Sequence, residues 1–451
     1  MALLSAPAAA SAAGLRTGCD SARPAVAYHP GGAALARQPT SRPVPCLAVV
    51  DSRTSESATI AMTSSGRLLY APLVDNDYPA PLDDRGPALI AASDDGGTSW
   101  QKIAPGQPDH ILDVPPWMAR DPQTGRIWFA SVLPDLCGTS ISWSDDDGRT
   151  WDTNPAVGCP AMGSLSIIEG PAPAGGARPA GYAHVVYDCA NANDLSNSNL
   201  WCYRSLDGGK SFSFAGSFPD PLPTADCQAK HPARPGTVGP DGVLYFPVYT
   251  CGQLSIAISR DEGATWELVP IAKSDVQDLY ITSTAADANG NLYLAWIEGS
   301  GSSSDGIPGR GRPTLSISRD HGRSWSKPVS LQPPGTQAAR HIAIATTGVG
   351  KLAVSFLAST TDTTKLSGYL TETADALAAH PVWLAAALND PATPLISASD
   401  SESFGDRLFF FTDTFSPGGE PWAAFHCAKT AVCPGRRIGV VGRLAAPAKR
   451  P

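Results

Sequence analysis

The chain has 451 residues with 43 Gly, 42 Pro and 11 Trp, 17% charged residues and a formal net charge of -9. That length would ordinarily span two or three domains, but a closed ring of repeats absorbs many small units in one domain. The composition predicts short strands joined by tight turns and few helices, and the net negative charge, with no long run of Lys and Arg, argues against nucleic acid as a partner.

Met1 to Ala13 reads MALLSAPAAASAA, an apolar stretch ending in small residues of the kind signal peptidase accepts, without the usual basic start. It predicts a signal peptide and a secreted protein, with an Ala-rich tail as the alternative. No later segment approaches the ~18 consecutive apolar residues of a membrane span, so no membrane partner is expected. Residues 14–41 are read as an N-terminal arm, 42–446 as one propeller domain and 447–451 as a tail.

The ten cysteines fall in close pairs: Cys137 and Cys159, Cys189 and Cys202, Cys227 and Cys251, Cys427 and Cys433. In an exported chain these predict disulfides within or beside single repeats, leaving Cys19 and Cys46 to tie the arm down. No C-x-x-C occurs and the histidines lack ligand spacing, so neither a metal nor another cofactor is expected. The acidic stretch VDNDYPAPLDDRG, with Asp75, Asp77, Asp83 and Asp84, is read as a solvated turn, with calcium binding as the alternative.

An eight-residue pattern, S-x-D-x-G-x-[S/T]-[W/F], begins at Ser93, Ser144, Ser205, Ser259 and Ser318. Chance supplies on the order of one match per thousand chains of this length, so five matches are a duplication signature. Asp95, Asp146, Asp207, Asp261 and Asp320 are expected to accept bonds from backbone N–H groups a few residues on. The following Gly supplies a positive φ, and the final Trp or Phe packs between neighbouring sheets. These carboxylates maintain the turn and are not read as catalytic or calcium-binding groups.

A second period counts the units. Gly66, Gly125, Gly242, Gly290, Gly350 and Gly419 each precede an alternating strand, and YAHVVYDC, after the insertion Gly170 to Gly181, is a seventh copy. Units recur about every 50 to 60 residues, which suits four strands with loops. The sixth unit lacks the Ser/Asp pattern and carries a helix-prone Ala/Leu stretch through Leu388. The seventh, from about Phe404 to Leu444, shows three strands, and VPCLAVV at 44–50 is expected to supply the fourth, closing the ring. The expected fold is an all-β propeller of four-stranded blades, seven in number with six as the alternative.

The five repeats resemble the Asp-box (BNR-repeat) propellers, a superfamily that includes sialidases and other glycan-active enzymes, and the resemblance covers about Ser41 to Leu444. It implies fold more strongly than activity, because function belongs to sites grafted on a fold. A sialidase would carry six blades, an Arg-Ile-Pro motif, three arginines gripping a carboxylate and a Tyr/Glu pair. Here the nearest motif is Arg42-Pro43-Val44, and no sialidase catalytic residue maps onto the chain.

In a propeller the residues just before the innermost strands crowd one funnel. Counting back from each hairpin Gly places there Glu56, Asp113, Lys230, His231, Asp278, Arg340, His341, Asp406 and Arg407. Asp113, Asp278, Asp406 and His231 are the candidate catalytic groups; Arg340, His341, Arg407, Glu56 and Lys230 are the candidate substrate-binding groups. Each also has a local role open to it: Asp113 and Asp278 as turn caps, His231 and His341 as core histidines, Arg407 as a partner of Asp406. The function expected is a secreted, monomeric glycan-active enzyme, a glycoside hydrolase or relative, with carbohydrate or another small molecule as its substrate. The alternatives are a non-catalytic propeller binding glycans or proteins, and a lyase or small-molecule tailoring enzyme on the same ring.

Overall fold

The computed structural model describes residues 15–50, 55–74, 90–107, 117–132, 137–192, 200–218, 229–232, 236–250, 252–274, 282–299, 311–397, 412–428, 430–433 and 438–447. The leader-like segment and the acidic stretch at 75–84 lie outside them. Among the described residues every regular element is a β-strand, and the strands form seven blades in a ring. No helix is long and apolar enough to cross a membrane.

Blade 1 holds Ser55–Met62, Leu68–Val74, Ile90–Ser93 and Gln101–Ile103. Blade 2 follows with Trp117–Arg120, Ile127–Val132 and Cys137–Ser144, and it shares the 19-residue strand Asp152–Gly170 with blade 3. The first part of that strand pairs back onto Cys137–Ser144 and the last part forward onto Val185–Ala192, which continues to Leu200–Ser205 and Ser213–Phe218. Blade 4 has Ala229–Pro232 and Thr237–Val238 inside Leu244–Thr250, Gln253–Ser259 and Glu267–Lys273. Blade 5 has Thr282–Ala286, Leu292–Glu298, Arg312–Ser318 and Val329–Ser330. Blade 6 has Ala338–Thr346, Leu352–Ser359, Lys365–Thr373 and Trp383–Ala387.

Blade 7 is built from both ends of the described chain. Asp413–Phe415, Pro421–Cys427 and Ile438–Ala445 are completed by Val44–Val49, in antiparallel register with Val44 opposite Ala445. The expected ring closure is therefore present, and it leaves Ile438–Ala445 paired on both sides instead of exposing an edge. The arm then adds a strand on each of two blades, Gly18–Cys19 beside Val44–Val49 and Val26–Tyr28 beside Trp383–Ala387. Disulfides Cys19–Cys46, Cys189–Cys202 and Cys427–Cys433 join the expected partners. The side chains of Cys137 and Cys159, and residues Cys227 and Cys251, lie outside the described residues.

Strand alternation makes each blade a wedge with two apolar faces. In blade 2, Ile127 and Phe129 pack with Leu69 and Ala71 of blade 1, while Trp128, Ala130 and Ile141 pack with Ile167 and Val186 of blade 3. The same logic corrects the helix expectation in unit six. Trp383–Ala387 is a strand, paired to Lys365–Thr373 on one side and to the arm on the other, and two ladders outweigh the helix propensity of Ala and Leu.

The repeated corners form as the residues dictate. Ser144 Oγ donates to Asp146 Oδ1 at 2.8 Å and accepts from the Gly148 N–H at 2.8 Å, while Asp146 also accepts from the Thr150 N–H at 2.8 Å and hydroxyl at 2.6 Å. Asp95, Asp207, Asp261 and Asp320 make the same bonds. The indole of Trp151 bonds back to Gly148 and packs on the blade 1–2 interface. Gly209 has φ +96°, and a Cβ there would lie 2.8 Å from the Trp128 ring, so the corner can seat against the preceding blade only as glycine. First and third strands of a blade run in the same direction, so the hairpin glycines and the Ser/Asp corners share one face of the ring, here called the turn face. The chain enters each inner strand from the far face.

Candidate functional site

The seven inner strands enclose a central cavity of about 500 Å³, lined by residues of every blade. Its wall nearer the turn face carries Arg120 of blade 2, Glu169 of blade 3, Thr284 of blade 5 and Asp413 of blade 7. Burial holds the Asp413 carboxyl up at about 7, even though the Ser355 hydroxyl and N–H of blade 6 both donate to it, at 2.5 and 2.9 Å. Burial, reinforced by the charge of Asp121, raises Glu169 well above the carboxylate range. The Glu169 Oε2, Arg120 Nε and Thr284 Oγ1 atoms are shielded from solvent and make no hydrogen bond to another described residue.

Behind Arg120, the first hairpin of blade 2 holds a partly buried network. Asp121 accepts from the Tyr182 hydroxyl at 2.5 Å and lies 2.6 Å from His184 Nδ1, while His184 Nε2 is 2.9 Å from Gln123 Oε1. Burial alone would raise the Asp121 carboxyl, but the bonds from His184, Tyr182 and the turn N–H groups hold it well below its ordinary value. Blade 5 repeats the device with Asp287, which accepts from Tyr293 at 2.6 Å and from Asn291. These carboxylates are saturated by their own turns and by residues of the neighbouring blade, so they fix hairpins and are not free for chemistry.

Toward the far face, blade 6 carries the one predicted pair whose side chains are described. Arg340 pairs with Leu357 and Ile342 with Phe356, so His341 is the extra residue of a β-bulge. Its φ is +51°, in the left-handed region that non-glycine residues adopt uncommonly, and it is only 3% exposed. Burial, then the charges of Arg340 and of His426 on the second strand of blade 7, hold the His341 imidazole neutral far below its ordinary range. Burial likewise pulls His426 down to about 3. The structure thus places two neutral imidazoles and a guanidinium where adjacent blades meet.

Of the other expected site residues, Glu56 lies on the inner strand Ser55–Met62 and Lys230 and His231 on the inner strand Ala229–Pro232, within these strands and not just before them. Their side chains, and all of Asp113, Asp278, Asp406 and Arg407, lie outside the described residues. Arg42, the nearest counterpart of a sialidase arginine, is spent on the arm, where it donates to Ala25 and Gln38. Sequence reasoning missed Arg120, Glu169 and Asp413 because it searched before the inner strands, whereas Arg120 and Glu169 sit at strand ends and Asp413 lies three residues before its hairpin. The signal available was a charged residue within a few positions of each hairpin or insertion, as in MAR-D, SIIE-G and FFFT-D.

No family model and no curated protein matches this chain. Solved structures similar to it include the NanB sialidase of Streptococcus pneumoniae, with 15% identity, 88% of this chain and 70% of that chain covered, and a TM-score of 0.47. The fucose-specific lectin of Aleuria aurantia is 14% identical over 77% of this chain and 99% of its own, with a TM-score of 0.47. The α-L-arabinanase of Penicillium chrysogenum is 16% identical over 78% of this chain and 99% of its own, with a TM-score of 0.42. At these values no correspondence of site residues follows.

Proposed function

We propose that this propeller is a secreted protein that takes a carbohydrate into the far-face end of its channel and acts on it as a glycoside hydrolase. The observation that carries the reading is the His341 bulge. A left-handed, buried histidine costs on the order of 1–3 kcal/mol, and such strain is retained where a side chain must be aimed. It supports a site built from the inner strand of blade 6 and its neighbours. The resemblance of the repeats to Asp-box propellers supplies the substrate class. In this reading Arg340 and His341 bind the sugar, and two of Asp113, Asp278 and Asp406 serve as acid and base or nucleophile.

The test is turnover of a panel of chromogenic glycosides by the intact chain and by Asp113→Asn, Asp278→Asn and Arg340→Ala. The expected result is a loss of roughly 100-fold or more in kcat for a carboxylate variant, with Arg340→Ala acting on KM. Unchanged turnover in both Asn variants would remove these residues as the acid and base. Glycan binding without turnover would make the ring a lectin-like binder.

A further inference from the structure

We propose that the turn-face half of the channel is a second binding site, for a small oxyanion, with Arg120, Glu169 and Thr284 as its hydrogen-bond donors. The argument begins from satisfaction: buried polar atoms in folded proteins nearly always have a partner, so each exception asks for one. Arg120 Nε, Glu169 Oε2 and Thr284 Oγ1 are three such exceptions, from three different blades, and all three residues line the same cavity. Arg120 makes no ion pair among the described residues, and its guanidinium offers only donors.

The acids nearby do not neutralise it. Asp121 is taken up by Tyr182, His184 and its own turn, and Asp413 by Ser355. Burial and the charge of Asp121 push Glu169 toward its protonated form, in which one oxygen carries a donor. A wall with one fixed cation, a carboxylic acid and a hydroxyl, and without a free carboxylate, suits a ligand that is all acceptor. A cavity of about 500 Å³ is larger than an inorganic oxyanion, so a substituted phosphate, sulfate or carboxylate fits as well. This site stands at the opposite end of the channel from Arg340 and His341, so it does not rest on the carbohydrate reading, and either can fail alone.

The test is calorimetric titration of the full chain with sulfate, phosphate and acetate, which also separates the three chemistries. At least one anion is expected to bind in the millimolar range or tighter, and Arg120→Gln to weaken it by roughly tenfold or more. Glu169→Ala should weaken it too, and Glu169→Gln, which restores an N–H donor, should recover it. No binding by any of the three, unchanged binding in Arg120→Gln, or tighter binding in Glu169→Ala would each overturn the site. Because Arg120→Gln bears on packing as well, crystals of the unaltered chain soaked in selenate give an independent answer. An anomalous peak within hydrogen-bond distance of Arg120 supports the site, and a channel holding water alone overturns it.

Discussion

Ser205 illustrates what one hydroxyl does in the repeated corner. It is buried, donates to Asp207 Oδ1 at 2.8 Å and accepts from the Gly209 N–H at 2.8 Å. Ser205→Ala leaves that N–H without an acceptor, so a loss of about 1–3 kcal/mol is expected in urea unfolding. Asp188 is the opposite case: a fully buried carboxylate on the second strand of blade 3, facing blade 2. Burial raises it from 3.8 to about 7, only partly offset by the Thr139 hydroxyl, so it costs nothing below pH 4, and its cost grows as pH rises from 4 to 7 and stays at its full value above that. Asp188→Asn is therefore expected to raise the melting temperature at pH 8 and leave it nearly unchanged at pH 4. Equal shifts at both pH values would mean that packing, not charge, sets the effect. The corners carry the reverse sign. Asp146 is held down at about 2, since the bonds from Thr150, Ser144 and the turn N–H groups outweigh its burial, so its contribution is present above pH 4 and lost as pH falls toward 2. The corner was legible residue by residue in the sequence because all its partners lie within four positions. Asp188 was not, because its burial is set by a neighbouring blade about 50 residues away.

At the scale of elements, the strand pattern was legible wherever a hairpin glycine and an alternating run coincided, as at Gly125 and Ile127–Val132. It misled at Trp383–Ala387, whose conformation is decided by the arm strand Val26–Tyr28, more than 350 residues earlier in the chain. The arm does more than cover that strand. Tyr28 donates its hydroxyl to the Leu331 carbonyl at 2.7 Å and is buried among residues of blades 5 and 6, and Arg23 donates to the Asn389 carbonyl at 2.8 Å. Cys19–Cys46 fixes its start to the closing strand, with a sequence separation of 27. Replacing both cysteines by Ser is expected to cost roughly 3.5 kcal/mol in the chain-entropy view, read as a lower urea midpoint. An unchanged midpoint would show that the arm's backbone pairing alone already holds it.

The ring as a whole depends on a contact between the two ends of the described chain, which gives it a test that no single blade offers. Val44 lies opposite Ala445 in an antiparallel pair, so a short turn can join Ala446 to Val44. Consider a circular permutant that starts at Asp51, runs to Ala446 and returns through such a turn into residues 44–50, omitting the arm. Every blade keeps its four strands, and the closing strand becomes a local hairpin instead of a contact across the sequence. A chain that also starts at Asp51 but lacks the appended strand leaves one side of Ile438–Ala445 unpaired. The permutant is expected to unfold in one cooperative transition, at a lower temperature than the parent because Cys19–Cys46, Tyr28 and Arg23 are gone. The truncated chain should aggregate, since its open edge offers a template for strand addition. Two separate transitions in the permutant would mean that blades 1 and 7 do not depend on each other, and equal solubility of the two chains would mean that closure is not what keeps the ring intact.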